Sequence, residues 1–148
     1  MSSALELRNP ALERMRAGDV ALGMLVRLGR SGDIARIAKS TGHDFVFLDV
    51  QHAIYSLETI GHIAQAALGC GVTAIVRVRS CHDPDMALLL DCGVTGIVVP
   101  DVSTVRLSIW FTASLITVRS GVLPPVSRRS FFRFSRVRSN STIVLFSE

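Results

Sequence analysis

The segment Asp44-Phe-Val-Phe-Leu-Asp49 is a short continuous apolar run that ends on a carboxylate and leads directly into Val50-Gln-His52. Similar runs cover Val20–Val26, Thr73–Val78 and Thr95–Pro100. Apolar runs of this length, without strict alternation, favour strands that are buried on both faces of a parallel sheet. The four runs begin near residues 20, 44, 73 and 95. This spacing is typical of repeated βα units.

The segments between these runs have apolar residues at helical spacing. They predict helices around Ile34–Ala38, Leu57–Leu68 and Met86–Leu90, with another around Leu5–Met15 before the first strand. Four βα units form either part of a doubly wound sheet or half of an eight-fold barrel, and the periodicity alone does not choose between them. A complete barrel needs roughly 250 residues, and this chain has 148.

The composition of the chain changes near residue 105. Residues 1–105 carry nine basic and eleven acidic side chains, whereas residues 106–148 carry seven arginines and one acid, Glu148. Ten of the eleven glycines lie before the break, and nine of the sixteen serines lie after it. We therefore predict that residues 1–105 form a partial α/β barrel. Residues 106–148 are interpreted as a divergent Arg/Ser-rich tail, frameshifted or truncated, and not as a separate domain.

The composition also argues against membrane and secreted proteins. No stretch approaches the ~18 consecutive apolar residues of a membrane helix, and residues 1–10 lack a secretory signal pattern. The cysteines Cys70, Cys81 and Cys92 contain no Cys-x-x-Cys pair, and their odd number makes a poor disulfide framework. We therefore expect a reduced, cytoplasmic protein with no membrane partner.

Polar side chains follow the predicted strands, where α/β proteins carry their chemistry. His52 is suited to act as a general base because the pKa of an unperturbed histidine, ~6.5, lies near working pH. A carboxylate such as Asp91 or Asp49 can orient it. Arg77 can hold a carboxylate or polarise a keto oxygen. The alternative is structural: His52 caps the next helix and Arg77 pairs with a structural acid.

Three segments together resemble the HpcH/HpaI aldolase family, which comprises pyruvate-dependent class II aldolases on a TIM barrel related to citrate lyase β-subunits. They are Gly42-His-Asp-Phe-Val-Phe-Leu-Asp-Val-Gln-His52, Ile75-Val-Arg-Val78 and Leu89-Leu-Asp-Cys-Gly-Val-Thr-Gly-Ile-Val-Val-Pro100. The resemblance covers about residues 10–104. It implies the first half of a (β/α)8 barrel.

The family also implies roles for individual residues. His52 matches the catalytic base, Asp91 the acid that pairs with it, and Arg77 the arginine that contacts the keto oxygen of pyruvate. Gln51 matches a position linked to the water network of the metal. The implied reaction is reversible cleavage of a 4-hydroxy-2-oxo acid to pyruvate and an aldehyde, with bound Mg²⁺, Mn²⁺ or Co²⁺ as Lewis acid.

The resemblance ends before the segment that supplies the metal ligands in the family. We therefore expect no metal ligand in this chain, and weak or absent metal binding. We also expect an incomplete enzyme, with little or no aldolase activity of the 148-residue chain alone. The implied partners are a small 2-oxo acid and, for a complete barrel, further copies of the same chain.

Two other functions stay open. The chain can act as a noncatalytic barrel fragment that works only by association. A lesser alternative is nucleic-acid binding by the basic tail, in which Phe131, Phe132 and Phe134 lie among the arginines. Half a barrel also predicts open edges at the first and fourth strands. It further predicts that apolar residues near Met24, Ile97 and Val99 are exposed or covered by the tail.

Overall fold

The computed structural model describes residues 8–101 and 143–146. In this part of the chain, helices alternate with four strands, and one more strand follows after the undescribed segment. The elements in chain order are α1 Pro10–Ala17, β1 Gly23–Val26, α2 Asp33–Ser40, β2 Phe45–Asp49, α3 Leu57–Cys70, β3 Thr73–Arg77, α4 Met86–Asp91, β4 Gly96–Val99 and β5 Ile143–Phe146.

The first four strands form a parallel sheet in simple chain order, β1-β2-β3-β4. Helices α2, α3 and α4 each lead from the carboxyl end of one strand to the amino end of the next. A doubly wound sheet reverses its strand order at a switch point, and no reversal occurs among these four strands. The prediction of parallel βα repeats that form the first half of a barrel is therefore confirmed.

The core of the described residues lies between the sheet and its helices. Val46 and Leu48 of β2 are fully buried and pack in one cluster with Ile60 and Ile63 of α3. Successive side chains of a strand point to opposite faces. Asp49 of β2 therefore lies on the sheet face that looks away from the helices.

The apolar side chains predicted to lack cover are in fact part of this core. Ile97 and Val99 are buried in the cluster and Met24 packs against it. The prediction that they are exposed is wrong, because these residues face the helices and not the interior of the barrel. The alternative, that the tail covers them, depends on side chains outside the described residues and stays a prediction. Several of the large apolar side chains that are exposed lie in and around β1, among them Leu22 at 51% and Leu25 at 58%.

The strand β5 adds to the sheet on the side of β4. It runs antiparallel to β4, with Ile97 opposite Leu145 and Val98 opposite Val144. The expected open edge at the fourth strand is therefore wrong, because backbone groups of residues 143–146 pair with it. Among the described residues, β1 has one strand neighbour and keeps an open edge.

Several predictions fall outside the described residues. The tail arginines, Phe131, Phe132 and Phe134 lie there, as do Leu5 and Leu7 of the first predicted helix. The division of the chain at residue 105 and the nucleic-acid alternative stay predictions. Within residues 8–101 and 143–146, no helix is both long and apolar enough to span a membrane.

Candidate active site

Three neighbouring strands bring charged side chains to one edge of the sheet. Asp49 is the last residue of β2, Arg77 is the last residue of β3, and Arg27 directly follows β1. Asp49 and Arg77 are also register partners. Because β1, β2 and β3 are parallel, all three residues lie at the carboxyl ends of the strands, where barrel enzymes have their active sites.

Asp49 is the centre of this arrangement. Its side chain is fully buried and accepts two hydrogen bonds from Arg77, from Nε to Oδ1 at 2.9 Å and from Nη2 to Oδ2 at 2.7 Å. Arg27 donates to Oδ2 from Nε at 2.8 Å, and its Nη2 also lies 2.8 Å from Oδ2. Charge-assisted pairs of this kind fix the orientation of a guanidinium. Asp49 therefore orients both arginines.

These contacts set the charge state of Asp49. Burial raises its pKa, but hydrogen bonds from Arg77 and Arg27, the charge of Arg77 and the backbone hydrogen bond from His52 lower it. The net result is a pKa of about 2, below the ordinary value of 3.8. The carboxylate is thus ionised at neutral pH, as expected for an acid beside guanidinium groups.

His52 lies at the same end of the sheet as Arg77. Its backbone N–H donates to Asp49 Oδ1 at 3.3 Å, and its side chain is exposed. Asp49 therefore contacts the backbone of His52 and not its ring. This single carboxylate links the candidate base to the candidate substrate-binding arginine.

Gln51 connects the loop after β2 to the end of β4. Its Nε2 donates to Asp101 Oδ2 at 3.2 Å. Asp101 has a φ of +55°, which is in the left-handed region that Asp tolerates better than most residues. The backbone turn after β4 therefore places an acid beside Gln51.

Asp91 is separated from this group of residues. It is the last residue of α4, and its side chain is exposed. Each helix runs back from the carboxyl ends of the strands, so Asp91 precedes the amino end of β4. Between the described residues, no hydrogen bond or ion pair joins Asp91 to His52. A single chain does not bring the two residues of the expected pair together.

The loop after β3 is held by a separate ion-pair network. Arg79 donates from its backbone N–H and from Nε to Asp83 Oδ2, at 2.9 and 2.8 Å, and its Nη2 also pairs with Asp85. Burial raises the pKa of Asp83, and hydrogen bonds from Arg79 and Asp85 lower it to a net value below the ordinary one. This network orders the backbone that directly follows Arg77.

Sequence reasoning overlooked Arg27 and the central position of Asp49. The available signal was positional: Arg27 follows the first apolar run just as Arg77 ends the third. The structural alternative for Arg77 correctly anticipated an acidic partner. That acid is Asp49, at the end of the neighbouring strand.

The described residues do not fit the divalent metal that the resemblance implies. Within residues 8–101 and 143–146, no group of three or more His, Cys, Asp or Glu side chains is placed to hold an ion. Both oxygens of Asp49 already accept hydrogen bonds from guanidinium groups. A cation at this carboxylate would lie beside two positive charges, so Asp49 is not suited to be its ligand.

Curated proteins of similar sequence are aldolases. The chain is 29% identical over 98 residues to the 2-keto-3-deoxy-L-rhamnonate aldolase of Escherichia coli strain K12, and the protein of Escherichia coli O157:H7 gives the same figures. The match covers 66% of this chain and 36% of each relative. The chain therefore spans about a third of the length of these curated relatives. No family model matches it.

Comparison with solved structures shows that the fold, too, is similar to that of known enzymes. An HpcH/HpaI aldolase from Desulfitobacterium hafniense DCB-2 has a TM-score of 0.68 and 26% identity, covering 81% of this chain and 44% of that one. The citrate synthase SbnG has a TM-score of 0.65 and 27% identity, covering 84% and 48% of the two chains.

The strand order and the similar structures indicate one class of fold, the aldolase-type barrel. The described residues correspond to the first strands and helices of such a barrel. Over this partial segment, the chain is similar in sequence and fold to aldolases of the HpcH/HpaI family. The resemblance seen in the sequence is thereby confirmed.

Proposed function

We propose that this protein acts as a carbon–carbon lyase in the reversible cleavage of 4-hydroxy-2-oxo acids to pyruvate and an aldehyde. One observation carries the proposal: the buried carboxylate of Asp49 contacts both Arg77 and the backbone of His52 at the carboxyl ends of the strands. The curated relatives are 2-keto-3-deoxy-L-rhamnonate aldolases, which supports the same reaction class.

Arg77 is proposed to bind the keto oxygen of the substrate. Its Nε and Nη2 are occupied by Asp49, and its Nη1 donates to none of the described residues. A guanidinium fixed in this way is pre-oriented for an oxygen on which negative charge develops. During cleavage the C2 oxygen becomes an enolate oxygen, and the charge of Arg77 stabilises it.

His52 is proposed to carry the proton. Its neutral imidazole accepts the proton of the C4 hydroxyl as the C3–C4 bond breaks and C4 becomes an aldehyde carbonyl. The electron pair of the broken bond moves to C3 and the C2 oxygen, forming the enolate of pyruvate. The imidazolium then gives its proton to C3, which completes pyruvate and restores neutral His52.

The other expected residues have secondary places in this proposal. Gln51, held by Asp101 beside the site, is proposed to contact the substrate. Asp91 and His52 lie toward different ends of the strands in one chain, so a contribution from Asp91 requires a second copy of the chain. The divalent metal of the family is proposed to depend on residues outside the described part.

A proton-exchange experiment tests this proposal. The chain is incubated with pyruvate in D₂O, with and without Mg²⁺, Mn²⁺ or Co²⁺, and loss of the C3 proton signal is followed by NMR. We expect exchange above the buffer rate and a loss of about 100-fold in His52→Ala, since general bases contribute 10²–10⁴-fold. His62→Ala, an exposed histidine on α3, is the matched control and keeps the exchange rate.

Two results would overturn the proposal. One is exchange at the buffer rate under every metal condition. The other is an equal rate in the original chain and in His52→Ala. Pyruvate release from 4-hydroxy-2-oxo acids, measured with a lactate dehydrogenase couple, then tests cleavage itself.

A second candidate function is association as a noncatalytic barrel fragment. It is favoured by the open edge of β1 and by the exposed side chains of Leu22 and Leu25 beside it. Open strand edges with apolar side chains are sites at which chains pair with one another.

A further inference from the structure

The outer edge of β1 carries backbone groups that have no strand beside them. Among the described residues, β1 pairs with β2 and with no other strand. The backbone C=O of Leu22 accepts hydrogen bonds from the N–H groups of Asp44 and Phe45 at the start of β2, so Leu22 faces β2. Alternate residues of a strand direct their backbone groups to opposite sides. The N–H and C=O groups of Gly23 and Leu25 therefore point to the open edge.

Exposed apolar side chains are concentrated along the same edge. In the described part of the chain, seven large apolar side chains are exposed, and four of them lie in the stretch 20–28 that contains β1. These four are Val20 at 83%, Leu22 at 51%, Leu25 at 58% and Leu28 at 88%. An unpaired strand edge with apolar side chains is a place where another strand can add.

The stretch 20–28 is nearly symmetrical about its central residue, Met24. Val20 and Leu28 each lie four residues from Met24, and Gly23 and Leu25 lie next to it on either side. Two copies paired antiparallel about Met24 place Val20 of one copy opposite Leu28 of the other. They also place Leu25 opposite Gly23, which has no side chain to obstruct it. The edge is thus complementary to itself.

The opposite edge of the described sheet is already occupied. β5 pairs with all four residues of β4, from Gly96 opposite Phe146 to Val99 opposite Ile143. A second chain cannot use this edge without displacing β5. An assembly that pairs one β1 with another uses each open edge once, so it closes at two copies.

We propose that β1 pairs antiparallel with β1 of a second copy of this chain, about a two-fold axis at Met24. This inference rests on the second candidate function, association, and commits it to one partner, one strand and one register. Gly23 and Leu25 of one copy exchange N–H···O=C hydrogen bonds with Leu25 and Gly23 of the other. The two Met24 residues form the central pair, which has no hydrogen bonds of its own, with Cα atoms about 4.5 Å apart.

Disulfide cross-linking of the full chain tests this register. Disulfides join residues whose Cα atoms lie about 4.4–6.8 Å apart, so Met24→Cys should cross-link two copies on oxidation with diamide. Leu25→Cys is the matched control, because its two copies are displaced by two residues along the strands and lie about 8–9 Å apart. On a non-reducing gel, we expect Met24→Cys to give a band at twice the mass of one chain. We expect Leu25→Cys to match the original chain, whose three free cysteines set the background.

Sedimentation velocity tests the pairing without a new cysteine, and it serves as the test if Met24→Cys does not fold. Leu25→Pro removes an N–H that points to the open edge, and proline is tolerated at such positions of edge strands. A two-fold pair loses this donor twice, so we expect the dimer to dissociate about 10-fold more readily. Leu25→Ala keeps the N–H and is the matched control, which should dissociate less readily than Leu25→Pro.

The possible outcomes distinguish this inference from the association function. A covalent dimer through Leu25→Cys and not through Met24→Cys would overturn the register. Assemblies of more than two original chains would overturn the closed pair. If the original chain and Leu25→Pro associate equally, association stands and the pairing of β1 fails. A monomeric original chain would overturn both.

Discussion

Asp49 and Arg77, the last residues of β2 and β3, are register partners joined by a bidentate ion pair with N–O distances of 2.9 and 2.7 Å. Their backbones are paired in the sheet and their side chains are paired above it. Arg27 joins the same carboxylate from the end of β1. One buried acid thus links the ends of three strands.

Replacing Asp49 with Asn should destabilise the fold. The substitution keeps the size of the side chain but leaves two guanidiniums without their anion. Breaking a buried ion pair by removing one partner costs about 3 kcal/mol, and urea unfolding measures the change. Asp33→Asn, which removes an exposed ion pair with Arg36, should leave the midpoint nearly unchanged. Equal effects of the two substitutions would contradict a central role for Asp49.

The same carboxylate should make stability depend on acid pH. The pKa of Asp49 is lowered from 3.8 to about 2 in the folded chain. Its stabilisation is therefore present above pH 3.8 and is lost as the pH falls from about 4 to about 2, with a size of about 2 kcal/mol. Other acids titrate in this range, so the difference in unfolding free energy between the original chain and Asp49→Asn isolates this contribution. A difference that stays constant from pH 5 to pH 2 would contradict the assignment.

Gly23 should not tolerate a side chain. A Cβ at this position would lie 2.0 Å from a ring atom of Phe45, its register partner on β2. Gly23→Ala therefore displaces the ring, at a cost of about 1–3 kcal/mol in unfolding free energy. The double variant Gly23→Ala with Phe45→Leu should recover part of that loss in a double-mutant cycle. If the losses in unfolding free energy of the two single variants simply add in the double variant, the two positions do not clash.

The open edge of β1 should drive self-association. Leu25 on this strand is 58% exposed, and Leu25→Glu places a charge at the edge, which opposes strand pairing between chains. We expect sedimentation velocity to show self-association of the original chain and a shift toward monomer in Leu25→Glu. Leu88→Glu changes a leucine of α4 that is 47% exposed and serves as the control. A monodisperse monomer for the original chain would show that this edge does not pair.

Divalent metal should bind the described site weakly. The oxygens of Asp49 are occupied by Arg27 and Arg77, and a cation there would meet their positive charges. Calorimetric titration with Mn²⁺ should therefore give a dissociation constant of about 1 mM or weaker. Asp49→Asn should not change this value. Micromolar affinity that disappears in Asp49→Asn would show that the metal displaces an arginine from the carboxylate.

Much of the fold could be predicted from the sequence, because the positions of strands and helices depend on local patterns. The continuous apolar runs located the strands, and the second and third strands begin within one residue of their predicted positions at 44 and 73. The predicted helix at Leu57–Leu68 corresponds to α3, which begins after Ser56, whose Oγ accepts from the backbone N–H of Thr59 at 3.1 Å. Such signals need no knowledge of distant contacts.

The sequence was less reliable in predicting which face of a helix is buried. Ile37 is one of the apolar residues in the segment that predicted α2, but it is 48% exposed, while Ala35 and Ala38 are fully buried. The small side chains of α2 are the ones that enter the core, and a pattern of large apolar residues does not reveal this. Which residues become buried thus depends on how α2 packs against the rest of the core and not on α2 alone.

For the site, the sequence by itself determined which chemical groups stand at the strand ends, because a residue that follows an apolar run in a parallel sheet reaches the same edge as its neighbours. His52, Gln51 and Arg77 were identified in that way. Only the tertiary structure decided how these groups pair. The register of β2 and β3 gives Arg77 to Asp49, and the adjacent β1 adds Arg27. The direction of α4 takes Asp91 away from His52, because a helix between parallel strands must return to the opposite end of the sheet.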